Sequence, residues 1–167
     1  MTLLFTHLQS PVGRLKLVAG GAGLVAILWE DDDPNRVRLG AMAEQPDHAV
    51  LAETSRQLGD YFAGRRQNFT VKLDFRGTDF QKQVWAALLA IPFGETRSYG
   101  QIAQELGRPS ASRAVGAANG RNPISIIAPC HRVVGANGAL TGFAGGLAAK
   151  TYLLDHERRT LRPEEDA

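Results

Sequence analysis

The feature that most constrains the fold of this 167-residue chain is a change of period near residues 74–78. Before it, apolar residues come in short extended runs; after it they recur at helical spacing behind explicit start signals. Residues 3–8, 14–19 and 24–29 are expected strands, because Pro11-Val12-Gly13 and Gly20-Gly21-Ala22-Gly23 separate them with turn-forming residues. Beyond an acidic loop at 31–35, Leu51, Leu58, Tyr61 and Phe62 lie at helical spacing before Gly64, and residues 69–73 alternate as a further strand. Residues 1–75 therefore read as a small α/β domain, a sheet with a helix. His7 and His48 stand there without chemical partners and read as solvated or core-edge histidines.

Downstream, Thr78 and Gln81 form a capping-box pair that opens a helix with the apolar stripe Phe80, Val84, Trp85 and Leu88, ending at Ile91-Pro92. A second pair, Ser98 and Gln101, opens a short helix through Leu106. Gly107-Arg108-Pro109 turns the chain, and Ser110 is placed to cap a helix over residues 111–119. This is a helix-turn-helix pattern. Its second helix carries Ala111, Ala114, Gly116, Ala117 and Ala118, so it is slim, with Arg113 as its one long side chain. Close helix packing explains such a helix; so does insertion of its backbone into a DNA groove, including a minor groove only about 6 Å wide. The composition leaves both open.

Asn122-Pro123 ends that segment, and an apolar run over 124–128 follows, broken by Ser125. Residues 132–134 and 139–141 flank Gly135-Ala136-Asn137-Gly138, which holds the Asn-Gly hairpin signal and suggests a wing. Gly145-Gly146 releases the chain into a last helix from Leu147 to about Glu157. The expected organisation is thus an α/β domain over 1–75, a mainly helical winged helix-turn-helix-like domain over 76–158, and a tail at 159–167.

Charge permits nucleic-acid binding without requiring it: residues 76–150 hold 8 Lys/Arg against 3 Asp/Glu, whereas residues 1–75 hold 8 against 9. A solvated basic face explains the same numbers. The chain has one cysteine, which excludes an internal disulfide and a Cys-rich zinc site. No metal or other cofactor is expected. No basic-flanked apolar leader is present and no stretch reaches the roughly 18 uncharged apolar residues a membrane helix needs, so an intracellular, cytoplasmic protein that does not engage membranes is the default.

The single cysteine, Cys130, lies between Pro129 and His131. Most lone cysteines are small buried hydrophobes. The neighbouring histidine, able to take a thiol proton, and the stiffening proline raise the prospect of a nucleophile. Adjacency is weak evidence alone, since consecutive side chains of an extended segment point to opposite faces.

The run Asn122-Pro-Ile-Ser-Ile-Ile-Ala-Pro-Cys130-His-Arg-Val-Val134 resembles the active-site signature of the O6-alkylguanine-DNA alkyltransferases. Further landmarks follow in order: Phe93-Gly-Glu-Thr-Arg-Ser-Tyr99, Ser112-Arg-Ala-Val-Gly-Ala-Ala118, Gly145-Gly-Leu, and Leu154-Asp-His-Glu157. The likeness is dense over 78–158 and general in layout over 1–75, where it implies a ribonuclease H-like arrangement.

The resemblance implies that Cys130 is the nucleophile, that His131 deprotonates it through a water, and that Glu157 orients the imidazole. Asn122 would brace the active-site segment, where an Asn-Pro pair by itself is only a turn initiator. The Tyr99 phenol would hydrogen-bond the departing guanine. Arg113 would fill the place of a flipped nucleotide in double-stranded DNA, with Tyr99, Gly100, Arg108 and Ala114 contacting the backbone, although Arg108 has an ordinary surface reading too. Val133, Phe143 and Ala144 would border the base. The implied function is direct-reversal repair by a single-turnover methyltransferase that acts as a monomer in isolation, with O4-alkylthymine as a further candidate substrate.

The types suit the chemistry: a soft thiolate attacks a saturated carbon in line, the leaving guanine needs a proton, and the thioether product has no leaving group. Phe143-Ala144 departs from the family's frequent tyrosine-serine pair, which bears on substrate breadth, although the Ala144 N–H remains for a polar contact. Cysteine rather than tryptophan at position 130 separates the chain from the family's non-catalytic branch. Two rival readings remain: a helix-turn-helix binding module with a structural Cys130, and a Cys-His hydrolase that turns over repeatedly.

Overall fold

The computed structural model describes residues 2–162. Two compact units divide the described residues, one comprising 2–76 with 123–125, the other 77–122 with 126–162. The tail expected at 159–167 lies partly outside the described residues, from 163 onward.

In the first unit the Gly/Pro-punctuated runs form strands β1 (Leu3–Ser10), β2 (Gly13–Gly20) and β3 (Gly23–Leu28), joined by two tight turns. Both joints are antiparallel, with Phe5 opposite Val18 and Leu17 opposite Ile27. A fourth strand, β4 (Met42–Glu44), pairs in parallel with β1 and completes the order β3-β2-β1-β4. The sequence reading had no strand there: three residues, two of them exposed, are too few to show a period of two.

Helix α1 (Ala49–Phe62) buries Leu51, Leu58 and Tyr61 at the spacing of one helical face. Val18 joins Leu3, Val25 and Ala26 in a buried cluster, and the consecutive residues Leu17, Val18 and Ala19 of β2 are all buried.

Residues 69–73, expected as a strand, form only an isolated bridge between Leu73 and Leu24. Two backbone bonds make that bridge, the Leu24 N–H to the Lys72 carbonyl and the Asp74 N–H to the Leu24 carbonyl (2.8 Å each), while a side chain holds the segment's start: Gln57 accepts from the Thr70 N–H (2.9 Å) and donates to Thr70 Oγ1 (2.7 Å). Close approach also matters here, since a Cβ on Gly23 (φ +145°) would lie 2.6 Å from the Lys72 carbonyl oxygen.

In the second unit, α2 (Asp79–Leu89) and α3 (Tyr99–Glu105) start at Thr78 and Ser98, each with a complete capping box. Each such cap contributes about 1 kcal/mol. Helix α4 (Ser112–Gly120) follows, and its N-cap is Ala111 without a side-chain bond. Ser110 therefore does not cap it. The turn closes earlier, with the Ala111 N–H donating to the Arg108 carbonyl, so the helix begins one residue later than expected.

The expected wing also differs. Gly135 N–H donates to Ala139 O (2.8 Å), so the turn forms, but residues 139–141 make no strand. Val133 and Val134 form β6 (Val133–Val134), which pairs in parallel with β5 (Arg97–Ser98). Both valines are buried, and the ladder they find is the one that leads into α3. Helix α5 (Leu147–Leu161) runs beyond the expected end near Glu157. Among the described residues no helix is long and apolar enough to cross a membrane.

Candidate active site

Pro129 (φ −82°, ψ 66°) is the centre of an inverse γ-turn, closed by the Cys130 N–H on the Ala128 carbonyl (2.8 Å). The chain then enters one 3₁₀ turn, Cys130–Arg132. The opposite-faces expectation for Cys130 and His131 thus fails, because a helix of about three residues per turn spaces consecutive side chains about 120° apart. Four residues earlier, Ile126 is buried with φ +75°, a left-handed conformation that costs a β-branched residue about 1–2 kcal/mol.

Asn122 is wholly buried and its Nδ2 donates to the same Ala128 carbonyl (2.8 Å). One acceptor therefore joins the residue that ends the helix-turn-helix to the backbone of the cysteine. Cys130 itself is only 3% exposed and takes part in no disulfide.

His131 and Glu157 are both fully buried and meet at 2.7 Å, Nε2 to Oε2. Glu157 also accepts from Arg132 Nε (2.9 Å), Arg132 Nη2 (3.0 Å) and the Gly94 N–H (3.1 Å), while Arg132 Nη1 donates to the Ile91 carbonyl (2.7 Å). Burial by itself would raise the Glu157 pKa; hydrogen bonds and charge from His131 and Arg132 override it and hold the carboxyl well below its usual range. For His131, burial lowers the pKa from 6.5 against the pull of Glu157, with Arg132 and Lys150 adding to the lowering. An ionised Glu157 can only accept, so the neutral imidazole places its proton on Nε2. Nδ1 is then the basic atom, and it is buried without a hydrogen-bond partner among the described residues. Gly94 is suited to this approach: at φ +81°, a Cβ there would fall 2.2 Å from Leu161 Cδ1.

Tyr99 begins α3 directly after β5, so the parallel β5–β6 pairing sets the strand entering Tyr99 beside the strand leaving the cysteine turn. Its phenol hydrogen-bonds Thr141 Oγ1 at 2.5 Å, and its ring edge lies against Gly116 of α4. Gly100 is half-buried behind Ser98 and Ser112. On α4, Val115, Ala118 and Asn119 pack inward and Trp85 Nε1 donates to the Ala118 carbonyl (2.8 Å). Arg113, Ala114 and Ala117 form the exposed face, and Arg113 makes no ion pair among the described residues. Arg108 is exposed too, its guanidinium 5.5 Å from the Phe80 ring centroid. Val133 is buried; Phe143 is half-buried and Ala144 exposed in the loop before α5.

Three residues of this region went unread in the sequence: Arg132, Lys150 and Thr141. Lys150 is wholly buried and its Nζ donates to the Val133 carbonyl (2.7 Å); burial lowers its pKa, opposed by the charge of Cys130. The signal existed, because Lys150 and Glu157 lie one heptad apart on the stripe that also holds Leu153 and Leu154. Charged residues at core positions of a helix need buried partners. Thr141 left no such trace.

Comparison with known proteins places this geometry. Residues 79–159 match the model of the 6-O-methylguanine DNA methyltransferase DNA binding domain, and residues 3–75 that of the ribonuclease-like domain. The chain belongs to the 6-O-methylguanine DNA methyltransferase family. Among relatives of this methyltransferase family, the methylated-DNA–protein-cysteine methyltransferase of Mycobacterium tuberculosis H37Rv is 50% identical over 156 residues, covering 92% of each chain. That of Methanosarcina acetivorans is 51% identical over 154 residues, covering 89% of this chain and 94% of the relative. The crystal structure of M. tuberculosis OGT in complex with DNA superposes with a TM-score of 0.86 at 45% identity, covering 96% of this chain and 94% of that one. The two-domain methyltransferase fold, a small sheet domain followed by a helical DNA-binding domain, is therefore this chain's fold.

Proposed function

We propose that this protein repairs DNA by direct reversal, moving the methyl or other alkyl group from O6 of an alkylated guanine in double-stranded DNA onto Cys130, once per molecule. The observation that carries the reading is the buried His131–Glu157 contact behind the cysteine turn, in a chain half identical to proteins named methylated-DNA–protein-cysteine methyltransferases. The chemistry is assigned to the domain over 76–158, with the domain over 1–75 as its scaffold. The protein is intracellular and, in isolation, monomeric.

His131 Nδ1 takes the Cys130 proton through a water, and Glu157, kept ionised by Arg132, stabilises the imidazolium that results. The thiolate attacks the alkyl carbon, the C–O6 bond breaks, and guanine leaves with the electron pair while Tyr99 supplies a proton. A thioether has no easy leaving group, so Cys130 is consumed. Asn122 holds the attacking segment by the Ala128 carbonyl.

A thiol only 3% exposed cannot reach a base inside a duplex, which argues for extrusion of the damaged nucleotide at a cost of a few kcal/mol. Helix α4 offers the means. Its exposed alanine face fits a narrow groove and Arg113 is free to occupy the vacated stack, while Tyr99, Gly100, Arg108 and Ala114 approach the backbone. Val133, Phe143 and Ala144 border the extruded base.

The test is intact and peptide mass spectrometry after incubation with a duplex holding one O6-methylguanine, with an O4-methylthymine duplex in parallel. One methyl on Cys130, saturating at one per protein and absent in Cys130→Ser, is the expected result. DNA binding without a mass change would leave a binding module, and repeated turnover would leave a hydrolase.

A further inference from the structure

The loop over residues 135–146 contains no strand, and between residues 139 and 143 it is tied to the helical body by the hydrogen bond of Thr141 Oγ1 to the Tyr99 phenol at 2.5 Å. Thr141 is β-branched, so one χ1 rotamer sets both of its branches together. Its methyl Cγ2 lies 3.6 Å from where a Cβ on Gly135 would stand, which directs the hydroxyl toward Tyr99. The far side of the tyrosine is limited as well: a Cβ on Gly116 would come 3.7 Å from Tyr99 Cδ1. The phenol is thus bracketed, its ring by α4 and its oxygen by Thr141.

We propose that Thr141 is a positioning residue for alkyl transfer, holding the Tyr99 phenol in line with the leaving guanine and donating a hydrogen bond to its oxygen as the phenol gives up its proton. This rests on the reading of Tyr99 as the donor to the leaving group. The protons balance. As the Sγ–C bond forms and the C–O6 bond breaks, guanine takes the electron pair and the Tyr99 proton. The phenolate is stabilised by the Thr141 O–H until solvent returns a proton equivalent to the one His131 took from Cys130. The Phe143-Ala144 pair brings no side-chain hydroxyl to this loop, so the Thr141 hydroxyl is the one that reaches the phenol.

The test is single-turnover methyl transfer from an O6-methylguanine duplex, with duplex affinity measured separately, for Thr141→Val, Thr141→Ser, Tyr99→Phe and the Tyr99→Phe/Thr141→Val double variant. Valine keeps the methyl that faces Gly135, so folding is preserved, and the melting temperature checks it. The expected result is a rate constant about tenfold lower for Thr141→Val at unchanged affinity, the loss of one hydrogen bond in the transition state. Thr141→Ser should recover most of the rate, and valine should slow the Tyr99→Phe protein no further. A wild-type rate in Thr141→Val beside a slow Tyr99→Phe would overturn the inference and leave the role of Tyr99 standing. Equal slowing by valine with and without the phenol would overturn it too, because Thr141 would then act on the loop alone. A wild-type rate in Tyr99→Phe would remove the reading on which it rests.

Discussion

His131 and Glu157 lie 26 positions apart and meet at 2.7 Å with neither side chain exposed. Arg132, next to His131, grips the same carboxylate with two donors, so one acidic group serves the imidazole and the neighbouring guanidinium at once. Buried charge arranged in this way is costly to disturb.

Glu157→Gln is expected to destabilise the protein by about 3–5 kcal/mol, because it leaves the Arg132 guanidinium buried without its counter-charge. Denaturant unfolding measures this. Methyl transfer by the folded fraction should also slow at least about tenfold, since an amide cannot stabilise an imidazolium as a carboxylate does. A loss under about 1 kcal/mol would mean that Arg132 rehydrates without cost.

Acid should weaken the fold in two steps. The His131 pKa is depressed from 6.5, chiefly by burial, so the unfolded chain binds that proton more readily; its contribution is complete above pH 6.5 and is lost as the pH falls below it. Glu157, depressed from 4.5 despite burial by His131 and Arg132, adds a second loss below pH 4.5. The alkyl-transfer rate should stay level down through pH 6.5 and fall only at lower pH, as His131 protonates. A pH series of melting temperatures and single-turnover rates reads both.

Asn122→Ala removes a buried donor and strands the Ala128 carbonyl with the Cys130 N–H as its one remaining partner. A loss of about 1–3 kcal/mol in unfolding free energy is expected. Transfer should slow beyond what lost folding explains, because the γ-turn that presents the thiol loses its brace. Rates at matched fractions folded separate the two effects.

Arg113→Ala should leave stability within about 0.5 kcal/mol, since the side chain is exposed and makes no ion pair among the described residues. Repair of a duplex should fall at least about tenfold, whereas transfer from a free alkylguanine base should be unchanged. The contrast between the two substrates isolates the extrusion step.

Local signals were legible wherever a few neighbouring residues determine the outcome. The capping boxes at Thr78 and Ser98, the Gly/Pro turns and the apolar stripes of α1 and α2 act within one or two helical turns, and each formed where its residues stand. Reading failed where backbone groups choose among distant partners. Residues 69–73 took the Gln57 side chain at Thr70 and a single bridge at Leu73 in place of a ladder, and Val133-Val134 paired with Arg97-Ser98, leaving residues 139–141 out of the sheet.

The same divide runs through the candidate site. The string from Asn122 to Val134 marks the cysteine, its histidine and the asparagine through its likeness to a family signature, and only the Asn122–Ala128 bond and the Pro129 γ-turn within it are local. That Glu157 reaches His131, that Lys150 caps the Val133 carbonyl and that Thr141 meets Tyr99 was decided by tertiary structure. Each of these contacts joins groups at least 17 residues apart, and a hydrogen bond is specified by positions to within a fraction of an ångström. Spacing along a chain carries no such information until helix α5 and the β5–β6 pair have packed.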